Sequence, residues 1–261
     1  MASYAIIIGV NDYTDPVHKG LKTLKGAIRD ANDVYDWIIG EGGVLPENAY
    51  LITSTQNPLN PIKNDVDVAI GEIMEKVDKN DHLDADRLYF YFAGHGLGVE
   101  LDLENSGMCM ANWSEYMKDS ASLSSKDYKQ KFLNEGLFKE VVIWMDCCRN
   151  TKYYFRPQGG PGITPLGPNF NPKWMLASAT EYQNQAFEYD DPAVGDEKRG
   201  IFTSVLLKGL EGDASDGEHV TATSLGDYLY YNVPKKAQEN GYSQRPDISG
   251  NTGKYNQIIF K

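Results

Sequence analysis

A cysteine and a histidine stand at matching places in this sequence, each shortly after an apolar run with the composition of a buried β-strand. His95 follows the run Arg87–Phe92 within Ala-Gly-His-Gly, and Cys148 follows the run Val141–Met145 within Asp-Cys-Cys. An imidazole is a suitable base near neutral pH, and a thiol needs such a base because its pKa of about 8.5 leaves it mostly protonated. The two residues predict nucleophilic acyl transfer.

The backbone around the pair predicts the remaining parts of such a site. Glycines flank His95, and glycine lets the backbone approach a ligand closely, so we expect the N–H groups of Gly96 and Cys148 to bind an oxyanion. Cys147 points the opposite way on leaving its strand, so we expect it to pack in the core. We expect the same of Cys109, which lies in a short apolar stretch.

Each residue alone has an ordinary explanation. A Gly-His-Gly sequence after a strand is commonly a turn, and a cysteine after a buried strand is commonly inert packing. In an open α/β sheet, however, ligands bind beyond the carboxyl ends of the strands. The placement of both residues at such ends therefore favours the catalytic interpretation.

The elements that must position this pair form a repeated strand and helix pattern. The predicted strands are Tyr4–Val10, Tyr50–Thr53, Arg87–Phe92, Met108–Ala111, Val141–Met145, Trp174–Ala179 and an edge strand Tyr255–Phe260. The predicted helices are Gly26–Ile39, Asp65–Val77, Ser125–Leu133, Ile201–Leu210 and Ser224–Val233. The pattern predicts an α/β fold in one domain, residues 1–261, with an open, doubly wound, mostly parallel sheet flanked by helices. Residues 151–173 lack periodicity and are rich in Gly, Pro and Asn, which predicts a long exposed loop.

Charge and composition exclude several classes of protein. Lys and Arg total 25 against 37 Asp and Glu, a formal net charge of -12, so no basic field attracts nucleic acid or an anionic membrane surface. The apolar runs are far shorter than the ~20 residues that span a bilayer. The opening Met-Ala-Ser-Tyr also lacks the basic segment of a secretory signal, so we expect a cytoplasmic protein.

The cysteines and histidines do not predict a metal site. Three cysteines cannot build a disulfide framework, which favours a reducing compartment with the thiols available for chemistry. The four histidines form no HExxH motif, and no paired CxxC is present, so we expect no metal and no cofactor.

Together these segments resemble the caspase-like fold, and they are closer to metacaspases and their bacterial relatives than to animal caspases. The histidine and cysteine lie 53 residues apart, near the spacing of about 50 in the caspase signature. The other matching segments are Tyr4–Asn11, Leu24–Ala31, Ser178–Glu188 and Gly200–Thr203. The resemblance implies a caspase-like six-stranded sheet and a cysteine endopeptidase with His95 and Cys148 as its catalytic dyad.

The resemblance also implies a specificity. The positions that match the pocket for the residue before the cut bond (S1) are Asp30 and Asp146, with Ala93 at the place of a small polar residue. Two carboxylates favour a basic Arg or Lys side chain and repel an acidic one. Animal caspases instead hold an aspartate with an arginine, at the position of Leu24 here. Cys148 is followed by Arg-Asn rather than the His-Ser-Gly usual in metacaspases, which leaves the fine specificity open.

In this family the catalytic domain has a large-subunit-like part, here about 1–150, a linker of about 151–173, and a small-subunit-like part of about 174–261. The linker is often cut during activation, so its basic residues Lys152, Arg156 and Lys173 are candidates for self-cleavage. Several metacaspases require calcium, for which the acidic stretch Glu188–Glu197 could supply oxygen ligands, although no EF-hand pattern supports this. Family analogy further implies an upstream activator and a regulated bacterial-type signalling, cell-death or defence pathway.

Three other functions are compatible with parts of this sequence. A catalytically idle caspase-like binding or scaffold module is the main one, and the presence of both dyad residues argues against it. A cysteine-dependent phosphatase needs an arginine six residues after the cysteine, where this chain has Tyr154. A serine hydrolase is disfavoured because no Gly-x-Ser-x-Gly motif follows a strand.

Overall fold

A computed structural model of the chain describes residues 2–13, 19–79, 85–150, 154–161, 171–191, 197–253 and 257–261. Within these residues the strands are β1 Tyr4–Gly9, β2 Ala49–Thr53, β3 Thr55–Gln56, β4 Leu59–Asn60, β5 Ala85–Ala93, β6 Gly96–Val99, β7 Asp102–Cys109, β8 Ser122–Ser124, β9 Phe138–Asp146, β10 Lys173–Ser178, β11 Glu188–Asp190, β12 Lys198–Gly200 and β13 Asp247–Gly250. The helices are α1 Ala27–Gly40, α2 Lys63–Lys79, α3 Ser125–Asn134, α4 Ile201–Lys208 and α5 Ala222–Glu239, with a 3-10 turn Pro46–Asn48 and a π turn Gly209–Asp213.

Six strands form the main sheet in the order β13-β10-β9-β5-β1-β2. Neighbouring strands are parallel except β13, which runs antiparallel to β10. The predicted six-stranded, mostly parallel α/β sheet is confirmed. Its register places Ala93 of β5 opposite Asp146 of β9, so His95 and Cys148 each lie two residues beyond a matched pair.

The sheet separates two apolar layers because side chains alternate along each strand. Tyr89 and Tyr91 of β5 pack with α1, α4 and α5 on one face. Phe90 and Phe92 of the same strand pack with α2 and α3 on the other. Full burial of one such side chain stabilises the fold by about 1.5–3 kcal/mol, so the strands that carry the dyad are firmly held on both faces.

Helix α1 begins at a carboxylate from a distant part of the chain. The backbone N–H of Gly26, which precedes the helix, donates to Glu188 Oε1 at 2.6 Å, and the N–H of Lys25 lies 3.3 Å from both oxygens of that carboxylate. A negative charge at a helix N-terminus is favourable because it satisfies unpaired amides and opposes the helix dipole. This contact ties β11 to α1.

The short strand before Asn112 and the end of the chain differ from what the sequence predicts. The short strand predicted at Met108–Ala111 is the end of a longer strand, β7, which forms an antiparallel sheet with β6 and β8. The edge of the main sheet is β13, whereas the described tail residues 257–261 bond to residues 220–222. No helix in the described part of the chain is both long and apolar enough to cross a bilayer.

Candidate active site

His95 lies between β5 and β6 and is held from two sides. Its backbone N–H donates to the hydroxyl oxygen of Tyr13 at 2.7 Å, and the two rings are 4.9 Å apart between centroids. Its ring Nε2 is 2.8 Å from the carbonyl oxygen of Lys22. A carbonyl only accepts hydrogen bonds, so this contact places the proton of the neutral imidazole on Nε2 and leaves Nδ1 free to accept one.

Burial lowers the pKa of His95 from its usual 6.5, and the contact with the Lys22 carbonyl opposes that shift. The direction follows from the loss of water around a charged imidazolium. The ring is therefore held in its neutral, proton-accepting form at neutral pH.

Cys148 is partly buried just beyond β9. Its Sγ lies 3.3 Å from the backbone N and 3.5 Å from the carbonyl oxygen of Ala186. The neighbouring Cys147 is buried, and burial raises the pKa of its thiol. Like Cys147, Cys109 is buried in the layer that contains α2 and α3. The two cysteines assigned to the core therefore lie there, and Cys148 faces a pocket.

The histidine and this cysteine line one pocket of about 240 Å³. Its lining residues are Leu24, Ala27, Asp30, Ala93, Gly94, His95, Asp146, Cys147, Cys148, Ala186, Phe187, Glu188, Lys198 and Gly200. The structure thus brings together the dyad and all three residues assigned to S1 from the sequence. It adds Glu188 as a third carboxylate in the wall.

Strand β6 presents its glycines to the segment that follows Cys148. The N–H of Gly98 donates to the carbonyl oxygen of Asn150 at 3.0 Å. Because alternate N–H groups of a strand point to the same side, the N–H of Gly96 faces that segment too. A Cβ added to Gly96 would lie only 2.4 Å from the Cys148 carbonyl oxygen, so this close approach requires glycine.

The carboxylates of Asp30 and Asp146 converge on Gly200. The N–H of Gly200 donates to Asp30 Oδ2 at 2.7 Å. The N–H and hydroxyl of Thr203 donate to Asp146 Oδ2 at 3.0 and 2.7 Å. A Cβ on Gly200 would lie 2.2 Å from the Asp146 carboxylate and 2.8 Å from the Asp30 carboxylate. Both acidic side chains are thus fixed by the start of α4.

Burial raises the pKa of both carboxyl groups. The pKa of Asp146 is raised to about 6, because desolvation outweighs the two hydrogen bonds from Thr203. The pKa of Asp30 is raised well above its usual 3.8, first by desolvation and then by the negative charge of Asp146. A cation between them would reverse these shifts, since it favours the ionised carboxylates.

An ion-pair network lies behind Asp30. Arg199 Nε is 3.5 Å from Asp30 Oδ1, and its other guanidinium nitrogens pair with Asp33 and Asp191. Arg29 contacts Asp33, Asp191 and Glu197 at 3.6–3.8 Å. These contacts fasten the β11–β12 hairpin to α1.

The same network bears on the calcium hypothesis. The stretch Glu188–Glu197 contributes Asp191 and Glu197 to arginine pairs, and Glu188 to the α1 amides. In the part of the chain that the structure describes, no group of three or more His, Cys, Asp or Glu side chains is arranged to hold a metal ion. Residues 192–196 of the stretch lie outside that part.

Several residues that shape the site could not be identified from the sequence. Buried Gln244 accepts from the N–H of Phe187 at 3.0 Å and donates to the Ala179 carbonyl at 3.0 Å, which fixes the wall beside the thiol. Phe187 also stacks on Tyr242 at 4.5 Å. Buried Arg149 bonds through its side chain to β7 and β13 and to the Thr180 carbonyl.

The candidate self-cleavage residues occupy different surroundings. Lys152 lies outside the described residues. Arg156 is exposed, and its N–H donates to Asp119 at 2.8 Å. Lys173, the last residue of the predicted loop, is the first residue of β10, where it pairs with Glu140 of β9. Cleavage after Lys173 would require β10 to leave the sheet.

The fold and site define an α/β protein with a thiol and an imidazole in one acidic pocket. The family model described as the caspase domain matches residues 2–256. The chain therefore belongs to the caspase-domain family of cysteine peptidases.

One sequence relative agrees with this membership, and one solved structure shares the fold. The chain is 29% identical over 227 residues to a probable protease of a Desulfuromonadales bacterium, covering 81% of this chain and 26% of that protein. It thus spans about a quarter of the length of this curated relative. Its fold is similar to the crystal structure of protein GSU0716 from Geobacter sulfurreducens, with a TM-score of 0.57, 15% identity and coverage of 96% and 93% of the two chains.

Proposed function

We propose that this chain is a cysteine endopeptidase that uses the dyad of His95 and Cys148 and cleaves polypeptides after Arg or Lys. The observation that carries the proposal is the single pocket lined by both dyad residues and by the carboxylates of Asp30, Asp146 and Glu188. An upstream activator and a place in a bacterial signalling or defence pathway stay predictions from the family resemblance, and a cytoplasmic location stays a prediction from the composition.

In the proposed reaction, Nδ1 of His95 takes the thiol proton, and the thiolate of Cys148 attacks the carbonyl carbon of the scissile peptide bond. The N–H groups of Gly96 and Cys148 stabilise the resulting oxyanion. The imidazolium returns its proton to the leaving amine as the C–N bond breaks. Water, deprotonated by the same imidazole, then hydrolyses the thioester.

The pocket charge supports a basic residue before the cut bond. A guanidinium or ammonium group would meet at least two carboxylates that are buried and already oriented by Gly200 and Thr203. Charge-assisted hydrogen bonds are about twice as strong as neutral ones, whereas a buried acidic side chain would be repelled. Apolar contact with Leu24 and Ala27 suits the methylene stem of either residue.

The thiol of Cys148 is in contact with Ala186 in this structure, so a substrate must replace that contact. Residues 186–188 form the wall beside the thiol. We propose that a bound peptide lies against this wall and displaces the backbone of Ala186 from the sulfur.

The test uses the purified chain, with and without calcium, and fluorogenic peptides ending in Arg, Lys, Gln or Asp. We expect cleavage after Arg and Lys, complete loss in Cys148→Ala, and retained activity in Cys147→Ala as the matched control. Preference for Asp would overturn the pocket assignment and leave the peptidase class intact. If no peptide is cut and an electrophilic peptide does not label Cys148, the idle binding module replaces the proposed function.

A further inference from the structure

Tyr13 contacts the histidine of the dyad through both its hydroxyl and its ring. The N–H of His95 donates to the Tyr13 hydroxyl oxygen at 2.7 Å, and the centroids of the two rings are 4.9 Å apart with the planes tilted by 58°. The tyrosine is 7% exposed. The same side chain therefore satisfies the backbone of the base and limits the movement of its ring.

The loop that carries this tyrosine is itself fixed. The N–H groups of Asn11 and Asp12 donate to the Ser54 hydroxyl at 2.9 and 3.1 Å. The side chain of Asn11 accepts from the N–H of Ile28, at 3.2 Å, in the first turn of α1. Such long-range bonds make the end of β1 a rigid support.

The same loop is bonded to the segment that holds the other side of the imidazole. The N–H of Leu24 donates to the Asn11 carbonyl at 2.9 Å, and two residues earlier Lys22 presents its carbonyl to Nε2 of His95. The histidine thus lies between two contacts from one connected support, one on its backbone and one on its ring.

The side chain of Tyr13 also packs closely against the end of β5. A Cβ added to Gly94 would lie 2.8 Å from the tyrosine hydroxyl oxygen and 2.9 Å from the Phe92 ring. The hydroxyl therefore occupies a place that only a glycine at position 94 leaves open. Because burial raises the tyrosine pKa well above 10.0, the hydroxyl is neutral at working pH.

We propose that Tyr13 is a positioning residue that acts through His95 and sets the imidazole for proton transfer from Cys148. The inference rests on the proposed dyad, and it assigns a role to a residue outside the pocket lining. A tyrosine suits this role because its ring packs beside the imidazole while its hydroxyl reaches the backbone. A phenylalanine would keep the packing and lose the acceptor.

The experiment compares Tyr13→Phe with Tyr128→Phe. Tyr128 is another buried tyrosine, but its hydroxyl bonds to Asp67 at 2.7 Å, away from the dyad. We expect Tyr13→Phe to lower kcat by about 10- to 100-fold with KM unchanged, as for a small misplacement of a reacting group. Tyr128→Phe is expected to keep the wild-type kcat. Gly94→Ala, which displaces the same hydroxyl, is expected to reproduce the kcat loss.

A second readout separates positioning from general damage. The rate of Cys148 alkylation by iodoacetamide is followed against pH, with the modified peptide identified by mass spectrometry. Transfer of the thiol proton to Nδ1 of His95 should keep alkylation of the wild type fast near pH 7, and in Tyr13→Phe we expect the profile to move toward that of an ordinary thiol, with a pKa of about 8.5. If the variant keeps both the wild-type profile and kcat, the inference is wrong while the dyad stands. If His95→Ala or Cys148→Ala keeps the peptide cleavage of the wild type, the proposed dyad fails.

Discussion

The proposed catalytic pair, His95 and Cys148, and the wall of their pocket are attached to the fold in different ways. The dyad follows two central strands, β5 and β9, whose side chains are buried on both faces. The wall includes a hairpin, β11–β12, that pairs over only three residues on each strand and is held to α1 by ion pairs. We infer that the protein fixes its chemistry by backbone register and its selectivity by charges from distant segments.

The largest effect that would sharpen this comparison is expected from Gly98→Ala. The new Cβ would lie 2.2 Å from the carbonyl oxygen of Arg149, the residue after Cys148. Displacement of that backbone should lower kcat/KM by about 100-fold or more and leave the Arg-to-Gln preference unchanged. Peptide kinetics measure both quantities. Gly71→Ala is the control, since its Cβ would meet nothing within 4 Å. Full activity in Gly98→Ala would break the comparison.

A smaller and more selective effect is expected from Asp146→Asn. The amide keeps an oxygen for the Thr203 bonds but removes a charge that would face the cationic side chain of the proposed substrate. A hydrogen bond to a charged group contributes about 1.5–3 kcal/mol, so the preference for Arg over Gln should fall by about 10- to 100-fold. The ratio of kcat/KM values for matched peptides measures it, with Asp86→Asn, at the far end of β5, as the control. An unchanged ratio would remove Asp146 from the specificity pocket.

The third prediction concerns pH. The pKa of Asp146 is about 6 and that of Asp30 is also raised, so a cationic side chain must displace protons to bind. The Arg-to-Gln ratio of kcat/KM should therefore rise as pH increases from about 5 to about 7. Ionisation of His95 and Cys148 changes kcat/KM equally for both peptides, so its effect cancels in the ratio. A flat ratio would mean that these carboxyls do not face the substrate.

The raised pKa of Asp146 affects stability in the opposite direction: the preference for Arg should increase with pH, whereas the contribution of this group to stability decreases. Because the folded pKa of Asp146 lies above its usual 3.8, the folded state binds more protons than the unfolded state between 3.8 and about 6. The contribution of this group to the free energy of unfolding is present at low pH and is lost as pH rises through that window. Asp146→Asn should reduce this part of the pH dependence in denaturant titrations.

The smallest effect is expected from Arg29→Gln, which removes contacts to Asp33, Asp191 and Glu197. Partly exposed ion pairs contribute little singly, so we expect a loss of about 1 kcal/mol and a Tm lower by roughly 2–4 °C. The Tm difference from wild type should shrink at high salt, which screens the pairs. The control is Lys139→Gln, which removes a more exposed ion pair between β9 and β5. A larger effect on kcat than on stability would contradict the view that these ion pairs hold the hairpin and not the catalytic pair.

The sequence predicted the part of the site that depends on local pattern. The apolar runs predicted strands β5 and β9. Because a parallel sheet brings the carboxyl ends of its strands to one edge, they also predicted that the residues after these strands lie close together. Asp30 and Asp146 followed from the family resemblance. Their presence in one pocket required only that α1 and β9 keep their usual places.

The parts that were not predicted depend on contacts between remote segments. Tyr13 reaches His95 across 82 residues, and Glu188 reaches the N–H of Gly26 across 162. Nothing in the local periodicity of either segment indicates its partner. Strand β6 was not predicted because its Gly-Leu-Gly segment has low strand propensity, although Gly96 permits the close approach to Cys148 and Gly98 the approach to Arg149.

The strand order also has a consequence for synthesis on the ribosome. From β1, the strands β5, β9, β10 and β13 are added to one side of the sheet in the order in which they are translated. Each new strand thus meets a partner that has already emerged, which suits folding of the growing chain. Strands β5 and β9 can pair before Gly200 and Thr203 are synthesised to orient the two acidic side chains. A nascent chain can therefore carry the thiol and the imidazole before its binding pocket is complete, which would delay the proposed cleavage of neighbouring nascent chains.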